Sequence, residues 1–538
     1  MNLLTYSKYR IFLKYPILRC TFPRLKLTLS MKKLLYLFLA ALCFGSFTKK
    51  EAKKPNIIFI FSDDHALQAI SAYGSPHIQT PNIDRIAREG AIFKNSFCTN
   101  SLCAPSRAVL LTGKYNHING QTDNRPNTTM DTRQPMFPKY LQENGYATSW
   151  IGKWHINNTP RYFDYWKVLP GQGNYYNPDF INMDSSRTRT EGYVTDIITD
   201  EALNWLDKGR DKSKPFSLVI GQKAPHREWQ PDAQDLHAFD GKTFDLPTTF
   251  NDDYKTRKAA EHQLMEVKDL RWDWDLKVNA DETGIMKRMT KPQKAAWDSY
   301  YEPENAKLDT TKMSAKEKSL WKYQRYMHDY LGCILSLDRN IGRVLDYLDK
   351  TGLAENTIVV YSSDQGFYLG EHGWFDKRFM YEQSLRMPFV MRYPNHIKPN
   401  TVINEMVVNI DFAPTILNIA GIPIPSDMQG KSVLPLVTQG KKPVNWRKGM
   451  YYHYYEYPDA HRVMPHFGIR GERYKLIYFY GKDNFWELID LKTDPDELKN
   501  VYGNPKNKAL IAQMKKDLKD LIVQYKDKEA LAILAKAK

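Results

Sequence analysis

Four short apolar runs in this sequence each end in a cluster of polar residues, and this recurrence constrains the fold most strongly. The runs cover residues 56–61, 146–151, 216–220 and 357–361. The last three follow predicted helices at residues 137–144, 195–206 and 320–348. Helices that alternate with apolar strands form an open, mostly parallel α/β sheet whose ligands gather at the carboxyl edge. We therefore expect one large α/β domain with a site at that edge.

The polar clusters at the strand ends carry acids, lysines and histidines. They occupy residues 62–65, 152–155, 223–226 and 362–366. A single acid there could be a helix cap, but adjacent Asp63 and Asp64 repel each other unless a cation lies nearby, and oxygen ligands suit Ca²⁺. Lys153 and His155 are two residues apart and lie on the same side of an extended chain. A lone buried histidine is more often hydrogen-bonded filler, but four converging clusters favour a functional site.

Residues 101–113 predict a helix that begins beside a cysteine. Pro105 suits the first turn because it lacks an N–H and has a helical φ, and Gly113 is a plausible stop. Cys103 would lie at the positive end of this helix, among free backbone N–H groups that suit an oxyanion. Arg107, one turn later, can direct a planar set of donors at the same anion. A buried, inert cysteine and an ordinary surface arginine are the alternative.

The first 50 of the 538 residues contain ten Lys and Arg and no Asp or Glu, so the net charge of +16 falls to +6 without them. Residues 31–46 have the basic start, short apolar run and small-residue exit of a secretory signal, and Met31 is the better start codon. Leu42 disfavours a lipoprotein signal at Cys43. We therefore expect a leader at residues 1–50 and a periplasmic or secreted protein, with no membrane span and no nucleic-acid partner.

The rest of the chain has the composition of a globular protein, with 42% hydrophobic residues overall. Residues 51–440 are the predicted catalytic α/β domain, with an insertion between residues 226 and 320 that forms a lid or a packing layer. Tyr-rich strands at 450–455, 474–480 and 485–489 and a helix at 508–525 predict an antiparallel C-terminal subdomain over residues 441–538. Three cysteines after the leader are too few for a disulfide framework.

The run Cys103-x-Pro105-Ser106-Arg107, followed by three residues and Leu111-Thr112-Gly113, resembles the maturation signature of type I sulfatases. With the ordered series around Asp63, Lys153, His226 and Asp364, the resemblance covers nearly the whole chain after residue 54. It implies an alkaline-phosphatase-like fold. It also implies that a formylglycine-generating enzyme converts Cys103 to Cα-formylglycine, which acts as a hydrated aldehyde.

The resemblance also implies a site. Ca²⁺ would be held by Asp63, Asp64, Asp364, Gln365 and the modified Cys103. Gln365 departs from the usual Asn or His of the family, but its carbonyl oxygen still suits calcium. The sulfate pocket would be completed by Arg107, Lys153, His155, His226 and Lys377. The implied mechanism has one hydroxyl of the modified Cys103 attack sulfur while His226 protonates the leaving alcohol, after which His155 takes a proton as sulfate leaves.

Residues 363–378 and 452–458 look most like bacterial sulfatases that act on N-acetylglucosamine 6-sulfate in host glycans such as glycosaminoglycans or mucins. Asp376 and Arg378 flank Lys377 and could bind sugar hydroxyls, and His466 could reach the site from the C-terminal subdomain. Loop ion pairs and surface polarity are the alternative for these residues.

Other functions are also compatible with parts of this sequence pattern. The enzyme could cleave a 2-O- or 4-O-sulfate, or be a phosphoesterase or phosphonate hydrolase of the same fold. A Zn²⁺ pair would favour a phosphoesterase, but histidine ligands are sparse beside the acids. A non-catalytic glycan-binding protein is a third possibility, against which Cys103 and both histidines argue.

Overall fold

The protein is described by a computed structural model that covers residues 53–280, 284, 286–440 and 443–537. The predicted leader, with its signal sequence at residues 31–46, Met31 and Cys43, lies outside the described residues. Within the described part of the chain, no helix combines the length and apolar character needed to cross a bilayer.

The strands follow one another along the chain as β1 (Asn56–Ser62), β2 (Ala91–Phe93), β3 (Ser96–Phe97), β4 (Ala147–Lys153), β5 (Tyr165–Leu169), β6 (Asp179–Ile181), β7 (Arg187–Arg189), β8 (Phe216–Gly221), β9 (Thr357–Ser363), β10 (Phe389–Arg392), β11 (Thr401–Ile403), β12 (Val407–Val408), β13 (Gly449–Tyr454), β14 (His466–Gly471), β15 (Tyr474–Phe479) and β16 (Phe485–Asp490). They form a ten-stranded sheet, a two-stranded sheet (β12 and β3) and a four-stranded sheet.

The α-helices are α1 (Pro81–Arg88), α2 (Cys103–Thr112), α3 (Asn116–Asn119), α4 (Phe137–Glu143), α5 (Val194–Asn204), α6 (Lys258–His262), α7 (Lys291–Ala306), α8 (Ala315–Lys350), α9 (Glu382–Leu385), α10 (Phe412–Ile419), α11 (Leu434–Thr438), α12 (Lys508–Tyr525) and α13 (Lys528–Leu534). The long helix α8 packs against α5 and α1. Short 3-10 turns connect many of these elements.

The large sheet has the order β11-β2-β10-β9-β1-β8-β4-β5-β6-β7. Its central strands β9, β1, β8, β4 and β5 run parallel, and β10 pairs antiparallel with β9. All residues of β1, β4, β8 and β9 are buried, as expected for central strands covered on both faces. The predicted α/β class, a large and mostly parallel mixed sheet, is confirmed.

The strand register aligns the carboxyl ends that carry the polar clusters. Ser62 pairs with Ser363 at the ends of β1 and β9, and Gly152 pairs with Gly221 at the ends of β4 and β8. A Cβ atom on Gly152 would lie 2.1 Å from the Gly221 carbonyl oxygen, and the backbone there has φ +98°. Glycine is therefore required at this point, where two strands deliver their polar residues to one edge.

The C-terminal sheet is antiparallel, with the order β13-β14-β15-β16, as predicted for this part of the chain. The sequence indicated three of its strands but not β14, which has glycines at two of its six positions. Strands β5, β6 and β7, which extend the large sheet, were also not predicted. The boundary near residue 440 stays a prediction.

The insertion before α8 is less helical than predicted. It contains α6 and α7 with long irregular stretches between them. Trp297 on α7 is buried and packs against Tyr301, with ring centroids 4.4 Å apart. Asp275 accepts two hydrogen bonds from Arg227, at 2.6 and 2.7 Å. Because Arg227 directly follows His226, the insertion packs against the rim of the sheet edge.

Candidate active site

The carboxyl ends of β1 and β9 bring four oxygen-bearing side chains together. Asp63 and Asp64 follow β1 directly, and Asp364 and Gln365 follow β9. The Asp64 N–H donates to Asp364 Oδ1 at 3.1 Å and so joins the two strand ends. All four side chains are fully buried. Adjacent parallel strands therefore gather the acids that the sequence analysis singled out.

Helix α2 begins beside this group. Cys103 is its first residue, and Gly113 ends it in the left-handed conformation (φ +64°) with its N–H bonded to the Val109 carbonyl. The Ser106 hydroxyl on the first turn donates to the backbone oxygen of Asp364 at 2.5 Å. Every residue of the helix is buried. The predicted helix and its glycine stop are confirmed.

Asp63, Asp64, Cys103 and His226 each offer a potential metal ligand, and these four atoms lie within 4.8 Å of one another. Oδ1 of Asp63 and Oε1 of Gln365 are buried and accept no hydrogen bond from the described residues, whereas Oδ2 of Asp63 is paired with Lys153. A buried charge or polar atom without a partner is unfavourable, and oxygen donors are the ligands that hard cations prefer. The group therefore fits a divalent cation.

Arg107 faces two of the carboxylates from the first turns of α2. Its Nε and Nη2 donate to Asp364 Oδ2 at 3.2 and 3.1 Å, and Nη2 lies 3.8 Å from Asp63 Oδ2. Its Nη1 donates to the Lys153 carbonyl at 2.9 Å. The guanidinium is fully buried and is held at one place by these contacts. It offers a planar set of donors to an anion in the site.

Two lysines bring further positive charge. Lys377 Nζ donates to both carboxylate oxygens of Asp64 at 2.7 Å, and Lys153 forms an ion pair with Asp63. Burial alone would lower the pKa of Lys377, but Asp64 overcomes that effect and raises the pKa above its ordinary value. Burial raises the pKa of Asp64 to about 6, although Lys377 opposes the shift.

His155 and His226 lie beside the group and are partly exposed. His226 Nε2 lies 3.7 Å from Asp64 Oδ2, and its Nδ1 is bonded to the Arg227 carbonyl. Because Nδ1 donates to this carbonyl, it carries a proton in the neutral ring. Nε2 is then the nitrogen that faces the site. Burial, and then Lys153, hold the pKa of both imidazoles well below the usual range. Both rings are therefore neutral near pH 7.

Asp376 and Arg378 flank Lys377 and are only 4% and 7% exposed. Arg378 Nη1 donates to Glu456 Oε1 at 2.7 Å, and its Nε lies 3.3 Å from Asp376 Oδ1. Asp376 Oδ2 lies 3.2 Å from His461 Nε2. Burial disfavours the Asp376 carboxylate, but His461 and then Lys377 hold its pKa well below the usual range. The pair is ion-paired beside the site, and its role as a sugar contact stays a prediction.

The environment of His466 does not fit the predicted sugar contact. The side chain is fully buried among aromatic rings of the C-terminal sheet. Its Nδ1 donates to the Met464 carbonyl at 2.8 Å, and its Nε2 accepts from the Met380 N–H at 3.2 Å. Both ring nitrogens are therefore engaged with the backbone, and His466 supports the chain that follows Arg378.

Two further residues reach the site without having been assigned a role from the sequence. Lys223 and Gln172 line a cavity of about 440 Å³ together with His226. Lys223 Nζ lies 4.7 Å from the centre of the Tyr175 ring, and the Gln172 side-chain oxygen contacts Lys153 Nζ. Lys223 lies in the same strand-end cluster as His226, and this position in the sequence could have identified it as a site residue. Gln172 follows a strand that was not predicted.

Comparisons with known proteins agree with this geometry. The sulfatase family model matches residues 55–422, and a model described as N-sulphoglucosamine sulphohydrolase, C-terminal, matches residues 370–524. The chain is 48% identical over 518 residues to N-acetylglucosamine-6-O-sulfatase of Bacteroides thetaiotaomicron, covering 92% of this chain and 91% of that protein. Human arylsulfatase K is 27% identical over 468 residues, covering 85% and 80% of the two chains.

Solved structures give the same result. A protein in complex with its substrate, D-glucosamine-2-N,6-O-disulfate, superposes with a TM-score of 0.86 at 48% identity and covers 88% of this chain and 99% of its own. The phosphonate monoester hydrolase of Agrobacterium radiobacter shares the fold, with a TM-score of 0.65 at 19% identity over 88% and 96% of the chains. The motif, the buried acid and cysteine group and the match over residues 55–422 agree, and the chain belongs to the sulfatase family.

Proposed function

We propose that this sulfatase is exported and removes the 6-O-sulfate of N-acetylglucosamine in host glycans such as glycosaminoglycans or mucins. The observation that carries the proposal is the 48% identity to an N-acetylglucosamine-6-O-sulfatase over nine-tenths of both chains. The ion-paired Asp376 and Arg378 beside Lys377 support it, because a carboxylate and a guanidinium together can grip one ring hydroxyl. A sugar held in this way can present its primary 6-sulfate to the buried group.

We further propose that Cys103 is matured to Cα-formylglycine by a formylglycine-generating enzyme and that Asp63, Asp64, Asp364, Gln365 and the matured residue hold Ca²⁺. The matured residue would supply a hydrated aldehyde as nucleophile, and Ca²⁺ would supply the charge that acidifies it. Oδ1 of Asp63 and Oε1 of Gln365, which accept no hydrogen bond from the described residues, support the cation. Mass spectrometry of the tryptic peptide that contains position 103 tests the maturation.

The sulfate group is bound by the buried cations. Arg107, Lys153 and Lys377 hold cationic N–H groups against Asp364, Asp63 and Asp64, the carboxylates beside Cys103. Negative charge on the three non-bridging oxygens of a sulfate ester requires such donors. Because the donors are fixed before the substrate arrives, they stabilise the transition state without reorganisation.

The two histidines handle the protons. His226 Nε2, which faces the site, gives a proton to the leaving alcohol oxygen, and His155 takes the proton that is released when the nucleophile is regenerated. Burial and Lys153 keep both imidazoles neutral in the free enzyme. An anionic sulfate ester opposes the effect of Lys153, so substrate binding favours protonation of His226.

The specificity is tested by the substitutions Asp376→Ala and Arg378→Ala. Each removes one charge-assisted hydrogen bond, which is worth about 1.5–3 kcal/mol. We expect kcat/KM on N-acetylglucosamine 6-sulfate to fall about tenfold or more. A small aryl sulfate without ring hydroxyls should lose much less. Glu472→Gln, at an exposed position on the turn between β14 and β15, is the matched control.

Equal losses on both substrates would assign Asp376 and Arg378 to general sulfate binding. Preferred cleavage of a 2-O- or 4-O-sulfate would overturn the proposed position, and faster turnover of phosphate than sulfate esters would overturn the proposed ester class. Export is tested separately by the N-terminal sequence of the mature protein, which we expect to begin after residue 46.

A further inference from the structure

Strand β13 of the C-terminal sheet runs alongside the chain that enters the cysteine helix. The His453 N–H donates to the Thr99 carbonyl at 3.0 Å. Thr99 lies four residues before Cys103. The C-terminal sheet is therefore joined by a backbone hydrogen bond to the segment that carries the nucleophile.

A buried tyrosine on this strand links the same segment to Arg378. The Tyr452 hydroxyl accepts a hydrogen bond from the Ser101 N–H at 3.1 Å and donates one to the Arg378 carbonyl at 2.6 Å. Tyr452 is fully buried. One hydroxyl thus connects Ser101, two residues before Cys103, with the backbone of the predicted sugar contact.

A second link runs through Glu456, which is 2% exposed. Its Oε1 accepts from Arg378 Nη1 at 2.7 Å, and its Oε2 accepts from the Asn124 N–H at 3.0 Å. Asn124 Oδ1 in turn accepts from the Ala104 N–H at 3.1 Å. This link therefore ends on the residue just after Cys103.

We infer that Tyr452 and Glu456 are positioning residues that fix the distance between the sugar contact Arg378 and the nucleophile at position 103. The inference rests on the proposed function, because it takes Arg378 as a sugar contact. The two links approach Cys103 from both sides and share Arg378 as their other end. A sugar gripped by Arg378 is thereby placed in register with the reacting atom, and misplacement by about 1 Å can reduce a rate about a hundredfold.

The test is a double-substitution cycle of Glu456→Gln and Arg378→Ala, measured on N-acetylglucosamine 6-sulfate. The glutamine side chain has one oxygen where glutamate has two, so it cannot accept from both Arg378 and the Asn124 N–H in the same geometry. We expect Glu456→Gln alone to lower kcat about tenfold, with a smaller change in KM. In the Arg378→Ala background the same substitution should lower kcat less than twofold further. Independent, multiplicative losses would overturn the inference.

Two further variants test whether the loss of kcat could come from misfolding of the Glu456→Gln protein. Asn124→Ala removes only the side-chain bond to Ala104 at a partly exposed position, and Tyr452→Phe removes the hydroxyl from the other link. Each should lower kcat on the sugar sulfate about three- to tenfold with a melting temperature close to that of the Glu472→Gln control. Wild-type kcat in both would overturn the inference. Absence of sugar-sulfate turnover by the wild type would instead overturn the proposed function, and the cycle would then be run on the sulfated sugar that is cleaved.

Discussion

At the scale of single residues, the site is a dense set of buried charges that are held by one another. Asp364 shows this clearly: Oδ2 receives two N–H groups of Arg107 at 3.2 and 3.1 Å, and Oδ1 receives the Asp64 N–H at 3.1 Å. Each buried charge in such a set depends on its partners, because an unpaired buried charge is strongly unfavourable. Cys103 is different, since the distant Gln365 amide, at 4.0 Å, is the one hydrogen-bond partner of its sulfur among the described residues.

Because the Cys103 sulfur makes so few polar contacts, its removal should disturb the surrounding charges little, which gives a prediction for Cys103→Ala. The alanine should abolish sulfate ester hydrolysis and leave the fold intact, because the position is the first residue of a helix and alanine is the residue most favourable to helices. Turnover of an aryl sulfate and the melting temperature measure the two effects. Hydrolysis at the wild-type rate would exclude Cys103 as the source of the nucleophile.

At the scale of elements, the apolar strands were predictable and their partners were not. Residues 56–61 and 357–361 are continuous apolar runs, and the structure extends each by no more than two residues, as β1 and β9. Strand β7, with the sequence Arg-Thr-Arg, is exposed at each of its residues, lies at the sheet edge and carries no hydrophobic signal. Strand β14 was missed because its pattern is interrupted by glycines that only the sheet context explains.

The residues of the candidate site also fall into a group that was predictable from the sequence and a group that was not. Asp63, Lys153 and His226 follow predicted strands, and the end of a strand fixes where its next residues lie. Glu456 and Tyr452 reach Arg378 from more than 70 residues away in the sequence, and no local pattern marks such a contact. His466 is the opposite case: the sequence suggested a sugar contact, but the side chain is fully buried and both ring nitrogens are bonded to backbone groups.

The C-terminal sheet also carries a pH-dependent contribution to stability. Glu487 on β16 is fully buried, with Oε2 accepting from the Tyr381 hydroxyl at 2.8 Å and Oε1 without a partner among the described residues. Burial raises the pKa of Glu487 to about 7 from an ordinary value of 4.5. Since the folded state holds this proton more tightly, the contribution of Glu487 to stability is full below pH 4.5 and is lost as the pH rises to about 7.

Glu487→Gln should therefore raise the melting temperature at pH 8 and change it little at pH 4.5. The glutamine keeps an acceptor for Tyr381 but removes the buried negative charge, an effect of about 1–3 kcal/mol. Glu497, whose pKa burial also raises to about 7, is present in both proteins, and its charge contributes to the raised pKa of Glu487. Thermal unfolding at both pH values, beside Glu472→Gln, measures the effect. The same difference at both pH values would show that the charge of Glu487 is not responsible.

At the scale of the whole molecule, the site joins parts of the chain that are far apart in sequence. Asp63 and Asp364 come from neighbouring strands, yet about 300 residues separate them. Cys103 adds a helix, and Lys377 adds the loop after β9. A cation bound to these oxygens would therefore stabilise long-range contacts as well as the chemistry.

Removal of the cation should affect both the catalytic activity and the stability of the fold. We expect exhaustive chelation to abolish sulfate release and to lower the melting temperature, because a ligand that binds only the folded state stabilises it by mass action. Added Ca²⁺ should restore both, and Mg²⁺ should restore less because it demands a tighter octahedral site. Unchanged activity and melting temperature after chelation would remove the cation from this account.

The complete burial of helix α2 has a consequence for the timing of biosynthesis. Cys103 and every other residue of α2 are inaccessible once β9 has paired with β1 and Asp364 has reached Arg107. Roughly 260 residues lie between Cys103 and the end of β9, and at about 5–20 residues per second their synthesis takes roughly 13–50 s. Under the proposed maturation, a modifying enzyme must meet Cys103 within that interval or on a chain kept unfolded until later. Molecules that fold before the encounter would then stay inactive, so the active fraction would depend on the relative rates of folding and modification.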